Sequence, residues 1–436
     1  VLLKSLLSPG QHQAEVAFIN IIAAVVSMTK ISYEDIKFSK EQGGVKLVFL
    51  RAFESHIDKE DLERIGRFDV KDGALEFPGT DEKAVNKRFG QILANSFTKM
   101  QSMLTGHRIV YVHRNSGIPL IGSLYFGIVD RGTNIIEVKP ITGCNIDCVF
   151  CSVDEGKSSK KLVDFVVETD YLADGLRRVI EYKQEDKQEG KRGKELKIDV
   201  FINTHGEPLL YANIVELVRK IREIKQVNII SIITNGTLLT EKLTDELIEA
   251  GLNQMNMSIN ASNEDAAKKL AGTNAYNLGK VMAIAKYVAK KIKLVIAPVW
   301  VRGVNDEEIT KLISFSKEIG ADIGIQNYMA HRLGRKVAKQ VEWEEFYRQL
   351  EVWEKYSGVS LKTTGHTLYA TKPLEKPFKK GDVVKASLVC PGRMNKEMLA
   401  VAKGRVISVI DCNKANMSIK VRIVRDKDNI FVGEEV

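Results

Sequence analysis

A chain of 436 residues exceeds one ordinary compact core, and its 44% hydrophobic and 28% charged content is that of a folded globular protein, which excludes a disordered or fibrous one. Five cysteines are too few for a disulfide scaffold, and a formal net charge of +9 favours either polyanionic partners or simple solubility. Several domains of conventional size are therefore expected.

The most apolar early segment, Val16–Met28, falls short of the ~20 residues that cross a bilayer and has Glu15 and Lys30 at its ends, so it reads as a buried helix. The residues before it lack the basic, apolar and small-residue order of a signal peptide, which makes the cytoplasm the expected compartment, with no membrane attachment. Up to residue 134 the chain mixes the strand-like runs Val45–Ala52 and Arg108–Val112 with helical spacing at Glu82–Leu104. This α+β region holds no cysteine and no chemical motif.

From Ile135 to Tyr328 short β-rich runs alternate with amphipathic stretches, the pattern of repeated βα units around a parallel sheet. The expected strands are Ile135–Val138, Ile198–Ile202, Ile229–Thr234, Gln254–Ile259, Lys293–Val299 and Ile323–Asn327. The expected helices are Tyr171–Gln184, Ala212–Ile224, Glu241–Ala250, Asn263–Ala271, Asn277–Ala289 and Asp306–Ile319. Six such units make a partial barrel spanning 135–345, in which ligands collect at the carboxyl ends of the strands. Glu185–Lys197 is a charge-dense insert that reads as an exposed loop.

Residues 346–378 read as a further helix and a linker, since two prolines interrupt the basic run Thr371–Lys380. In 379–436 the runs Asp382–Val389, Glu397–Ile410 and Ser418–Val424 alternate apolar with polar residues, the pattern of a small β-barrel. From Lys379 to Val436 twelve Lys/Arg face seven Asp/Glu, a balance of +5.

Chemistry concentrates in Thr142–Glu155, TGCNIDCVFCSVDE, with Cys144, Cys148 and Cys151 on a short loop after the first core strand. Three thiolates can hold three irons of a cubane, leaving the fourth iron open to a small molecule. Zinc needs a fourth ligand, and His107, His113 and His205 have no finger-like spacing.

The spacing C-x3-C-x2-C, with the aromatic Phe150 just before the third cysteine, resembles the radical S-adenosylmethionine (SAM) superfamily. The resemblance covers about Ile135 to Tyr328 and implies an α/β fold built on a partial (βα)6 radical SAM barrel, between the N-terminal α+β region and the small C-terminal β-barrel. It implies a [4Fe-4S] cluster on the three cysteines, SAM chelated at the open iron, and an electron donor such as ferredoxin or flavodoxin. One electron then cleaves SAM to methionine and a 5′-deoxyadenosyl radical, which abstracts hydrogen from the substrate; the protein positions this chemistry. Asn203–Pro208 (NTHGEP) resembles the family's GGEP element with His205 in place of the first glycine. By that likeness the backbone at His205 and Gly206, with Glu207, engages the SAM amino group. Thr234 and Asn235 in SIITNG are similarly SAM-site candidates, with a helix cap as the other reading. Ser258 and Asn260 in MSIN match the strand that contacts the ribose, and Val295–Val299 the strand whose backbone lies beside the adenine. Gln326, Asn327 and Tyr328 face the substrate side. No catalytic side chain is assigned beyond the cluster.

The C-terminal module is similar to the TRAM domain, an RNA-binding barrel of RNA-modifying enzymes. With Phe431 its lone aromatic, backbone recognition is expected rather than base stacking. The methylthiotransferases that carry this domain have three more N-terminal cysteines, and residues 1–143 contain none. Cys390, before the Pro391-Gly392 turn, and Cys412 read as buried thiols, a redox pair or a methyl-carrying cysteine. The leading expectation is a radical SAM enzyme that modifies a nucleoside in tRNA or other RNA. The alternatives are the same chemistry on a small metabolite, cofactor precursor, lipid or protein, and a non-enzymatic Fe–S RNA-binding or electron-transfer protein.

Overall fold

The computed structural model describes residues 28–185, 196–362 and 367–436, which divide into compact units at 1–109 and 110–436. The helix expected at Val16–Met28 lies outside the described residues except for Met28, which opens a strand; the insert expected as an exposed loop also lies almost wholly outside them.

In the first unit the strands Ile36–Glu41, Gly44–Phe49 and Phe53–Asp58 form an antiparallel meander, and Ala74–Pro78 lies between Met28–Ile31 and Asp69–Lys71 in a second small sheet. The helix Glu82–Thr98 starts where the Asp81 side chain accepts from the Ala84 N–H at 2.9 Å, and its Phe89 meets Phe38 edge-on.

The second unit is built on a seven-stranded sheet: β1 (Gly127–Asp130), β2 (Ile135–Lys139), β3 (Ile198–Ile202), β4 (Val227–Thr234), β5 (Gln254–Met257), β6 (Lys293–Ile296) and β7 (Asp322–Ile323). Spatial order follows chain order; β1 is antiparallel to β2, and β2 to β7 run parallel. All six expected parallel strands are present, and helices occupy each expected interval. Three strands stop short of the sequence reading, and the first of them, Gln254–Ile259, ends at Met257. Lys293–Val299 breaks after Ile296 and resumes at Val299–Trp300, because Pro298 has no N–H to give a ladder. Ile323–Asn327 divides similarly into Asp322–Ile323 and Gln326–Asn327. Among the described residues no helix is long and apolar enough to cross a membrane.

The expected linker carries no helix, but it is tied to the core. Thr371 and Lys372 accept from Lys183 Nζ at 2.7 and 3.0 Å, and Lys183 forms a buried ion pair with Asp130 at 2.9 Å.

Beyond it β8 (Val383–Pro391), β9 (Met398–Ala402), β10 (Arg405–Ile410), β11 (Ser418–Arg425) and β12 (Val432–Glu435) close into a barrel in the order β8-β9-β10-β12-β11. The run read as Glu397–Ile410 is a hairpin that turns at Lys403 and Gly404, both at positive φ. Alternate residues such as Leu388, Ala400, Ile407 and Val421 fill the barrel with Phe431 and Phe378. Cys390 lies in β8 at a register shift rather than in the turn, half-buried, and Cys412 is buried. The barrel docks on the core through main-chain hydrogen bonds from Val406 to Ile121 and from Phe431 to Gly122.

Candidate functional site

After β2 the short strand Thr142–Gly143 pairs in parallel with His205–Gly206, bringing the cysteine loop beside the end of β3. This approach demands glycine. Gly206 has φ +131°, and a Cβ on it would lie 1.8 Å from the Gly143 carbonyl oxygen. The loop's far side rests on the end of the helix Glu264–Ala271, where Asp147 and Val149 donate to Ala271 and Leu270. Gly272 caps that helix at φ +65°, and a Cβ there would meet the Asp147 carbonyl at 2.0 Å.

Cys144, Cys148 and Cys151 are partly buried on this loop. Burial raises the Cys144 thiol well above its usual range, helped by Glu207, and pushes Cys148 up to about 12, helped by Cys151. Cys144 and Cys148 are thereby held in their protonated form in the free loop, and a cluster taken up on them would displace those protons. Among the described residues no three His, Cys, Asp or Glu side chains converge on one point as a single-ion site requires. Three soft donors spread along a loop fit a cluster in which each thiolate takes its own iron.

The element read as GGEP-like holds its carboxylate inward. Glu207 Oε1 accepts from Leu209 N at 3.0 Å and Thr234 Oγ1 at 2.6 Å, while Oε2 accepts from Asn235 N at 2.8 Å. Glu207 thus joins the ends of β3 and β4. The Asn235 amide donates to Asn145 Oδ1 at 2.9 Å and lies 3.9 Å from Cys144 Sγ; its Oδ1 accepts from Thr237. Asn235 braces the following turn and touches the cysteine loop; the next helix, Glu241–Glu249, is capped by the Thr240 hydroxyl, which corrects the helix-cap reading of Thr234 and Asn235. Asn145 and Thr237 complete this ring and were not singled out in the sequence, where single polar residues carry no spacing signal.

Ser258 and Asn260 line a small cavity with Cys148, Ile146, Ala271 and Tyr276. Asn260 Oδ1 also accepts from Val299 N at 2.9 Å, fixing the start of the short strand Val299–Trp300. Phe150, within the loop, is buried. His205 is buried against Tyr125, ring centroids 5.7 Å apart; burial and the nearby Lys139, Arg393 and Lys161 keep it neutral. In the last strand Gln326 is exposed, whereas Asn327 and Tyr328 are buried and bind the Val341 and Arg335 carbonyls.

Arg335 is the main element that the sequence reading missed. Its Nε donates to Asp154 Oδ1 at 2.9 Å and Nη1 to the Cys148 carbonyl at 3.0 Å. Its Nη2 reaches Asp147 Oδ1 at 3.0 Å, the Glu155 carbonyl at 2.9 Å and Ser158 Oγ at 2.7 Å, and its own N–H donates to the Cys151 carbonyl at 2.8 Å.

The family model described as the Radical SAM superfamily matches residues 138–316, from β2 through the cysteine loop and the ends of β3 to β6. The chain belongs to the radical SAM superfamily. It is a radical SAM enzyme, and the cofactors of the superfamily are a [4Fe-4S] cluster and SAM. It is 37% identical over 391 residues to the uncharacterized protein MJ0103 of Methanocaldococcus jannaschii, covering 81% of this chain and 88% of that protein. It is 32% identical over 191 residues to the GTP 3',8-cyclase of Lactiplantibacillus plantarum, covering 43% of this chain and about half, 52%, of the cyclase. Among solved structures, Streptococcus suis SuiB bound to S-adenosylmethionine matches with a TM-score of 0.39 and 17% identity, over 74% of this chain and 69% of that one. TYW1 with a lysine-pyruvate adduct matches with a TM-score of 0.37 and 20% identity, over 53% and 76%.

Glu207 yields a pH test on the cluster-free radical SAM protein. Burial raises its pKa from 4.5 to about 7 against its three hydrogen bonds. Between those values the unfolded chain has released a proton that the folded one keeps, so stability falls as pH rises through this window, by about 3 kcal/mol in all. Urea midpoints are expected to decline from pH 4.5 to 7, and Glu207→Gln is expected to flatten the decline. Parallel profiles would show that Glu207 does not retain its proton.

Proposed function

We propose that this radical SAM enzyme modifies a nucleoside within tRNA or other structured RNA, with Cys144, Cys148 and Cys151 holding the cluster. Phe150, His205, Gly206, Glu207, Thr234, Asn235, Ser258 and Asn260 form the surroundings of SAM. When bound, the cluster supplies the electron that cleaves SAM, drawn from a donor such as ferredoxin or flavodoxin. The chain's own contribution is to hold the cysteine loop from both sides and to join the strand ends through Glu207. In this reading 135–345 is the catalytic core, 1–134 a separate α+β region, 346–378 a helix and strap, and 379–436 a TRAM-like RNA-binding barrel.

The observation that carries the reading is on the barrel's outer face. Lys385 on β8 stands directly opposite Lys420 on β11, both exposed. Like charges directly opposed across strands are destabilising, and a phosphate backbone relieves that repulsion. With buried Arg393 and Glu397 set aside, eleven Lys/Arg still face six Asp/Glu over 379–436. Lys385→Glu combined with Lys420→Glu is expected to weaken tRNA binding and lower its log–log salt slope by about two. Formation of 5′-deoxyadenosine without RNA should not change. Undiminished tRNA binding would sink the RNA reading.

The likeness of the core to GTP 3',8-cyclases favours a second reading, a free purine nucleotide as substrate. GTP in place of tRNA, with deuterium followed into 5′-deoxyadenosine, separates the two.

A further inference from the structure

The barrel enters the cluster site through Arg393. This residue lies two positions after Pro391, the last residue of β8, and has no solvent exposure. Its Nη1 donates to Glu155 Oε1 at 2.5 Å; its Nη2 donates to Glu155 Oε2 at 3.1 Å and to Asp164 Oδ1 at 2.6 Å; its Nε donates to the Val163 carbonyl at 3.0 Å. The turn that presents it is fixed in place, since Met394 N donates to Glu397 Oε2 at 2.9 Å and the Arg393 carbonyl accepts from Leu162 N at 2.9 Å.

Both carboxylates belong to the stems of the cysteine loop. Asp164 Oδ1 accepts from Thr142 Oγ1 at 2.9 Å, two residues before Cys144. Glu155 lies four residues after Cys151, and its N–H donates to Cys151 Sγ at 3.3 Å. Lys161 Nζ adds a bond to Glu155 Oε1 at 2.7 Å. One guanidinium therefore joins the entry and the exit of the loop. Two buried cations, Arg393 and Lys161, balance two buried anions, Glu155 and Asp164, beside the thiols.

Hydrogen bonds to cysteine sulfur and the net charge around a cluster set its reduction potential. We propose that Arg393 is a positioning residue for the iron–sulfur centre: through Glu155 it fixes the hydrogen bond to Cys151 and neutralises the local charge, which makes the barrel a structural part of the redox site as well as a surface for substrate. The proposal rests on the assignment of Cys144, Cys148 and Cys151 as cluster ligands.

The charges make opposite predictions for two neutral variants. Arg393→Met leaves one uncompensated anion and is expected to shift the potential of the reconstituted cluster downward. Glu155→Gln leaves one uncompensated cation and is expected to shift it upward, and the double variant should return toward the wild-type value. The experiment is an anaerobic redox titration followed by electron paramagnetic resonance, with iron content and circular dichroism measured on each full-length protein. A change in packing alone gives no such sign reversal. Unchanged potentials in both single variants, with clusters present, would overturn the proposal. Where Arg393→Met holds no cluster, Glu155→Gln decides: an upward shift supports the proposal and no shift overturns it. A wild-type chain that takes up no cluster would instead overturn the ligand assignment.

Discussion

Cys148→Ala, reconstituted and reduced anaerobically, is expected to bind less iron and to form no 5′-deoxyadenosine from SAM. Cys148 is the middle donor of the three, and only its carbonyl, which alanine retains, is used by Arg335. Asp147 and Val149 on either side are held by main-chain bonds to Ala271 and Leu270, so the loop keeps its path when the thiol is removed. The substitution therefore takes away a ligand without dismantling the site. The loss should far exceed the ~10–100-fold that removal of an outer hydrogen-bond partner costs a metal site. Iron analysis and product quantification check it. A variant with a full cluster and wild-type SAM cleavage would remove Cys148 from the ligand set.

Arg335→Met is expected to be the most damaging change outside the cysteines. Methionine fills much of the arginine's volume but removes the guanidinium donor from Asp154, two carbonyls and a hydroxyl, and leaves Asp147 with Ser158 as its donor. Breaking a fully buried ion pair costs about 3–5 kcal/mol; with its side chain 16% exposed, Arg335 belongs near the lower end, about 3 kcal/mol. Cluster affinity should drop on the ~10–100-fold scale of an outer partner. Arg335→Lys should recover little, since a point charge cannot reproduce a planar fork that spans five acceptors. Urea unfolding and iron retention during dilution measure the two effects. Wild-type stability together with wild-type iron retention would show that the clamp is incidental.

Much of the core is written locally. Ile198–Ile202 and Asp306–Ile319 have the bounds that periodicity predicts, because a strand or helix buries a face set by residues two, or three to four, apart. The cysteine motif is legible for the same reason, as its donors fall within eight residues. The strand and hairpin ends are less legible: Ala297-Pro298 interrupts an apolar run, and Lys403-Gly404 turns inside another, where alternation alone continues. The hinge-like basic run Thr371–Lys380 reads as a tether, although Lys183 binds its first residues to the core.

The sequence by itself determined the βα succession, the three-thiol loop with its family resemblance, and the basic balance of the last 58 residues. These depend on spacing between near neighbours and on composition. Tertiary structure alone decided what holds the loop. Arg335 meets Asp154 across 181 residues and Arg393 meets Glu155 across 238, and a contact between residues so distant leaves no periodic trace in the chain. It decided also that Glu207 ties two strand ends and that Tyr328 turns inward to Arg335. A buried charge must find its partner wherever the fold places one, so the partners of Glu155, Asp164 and Asp147 became identifiable only when the barrel and the last core segment closed over the loop.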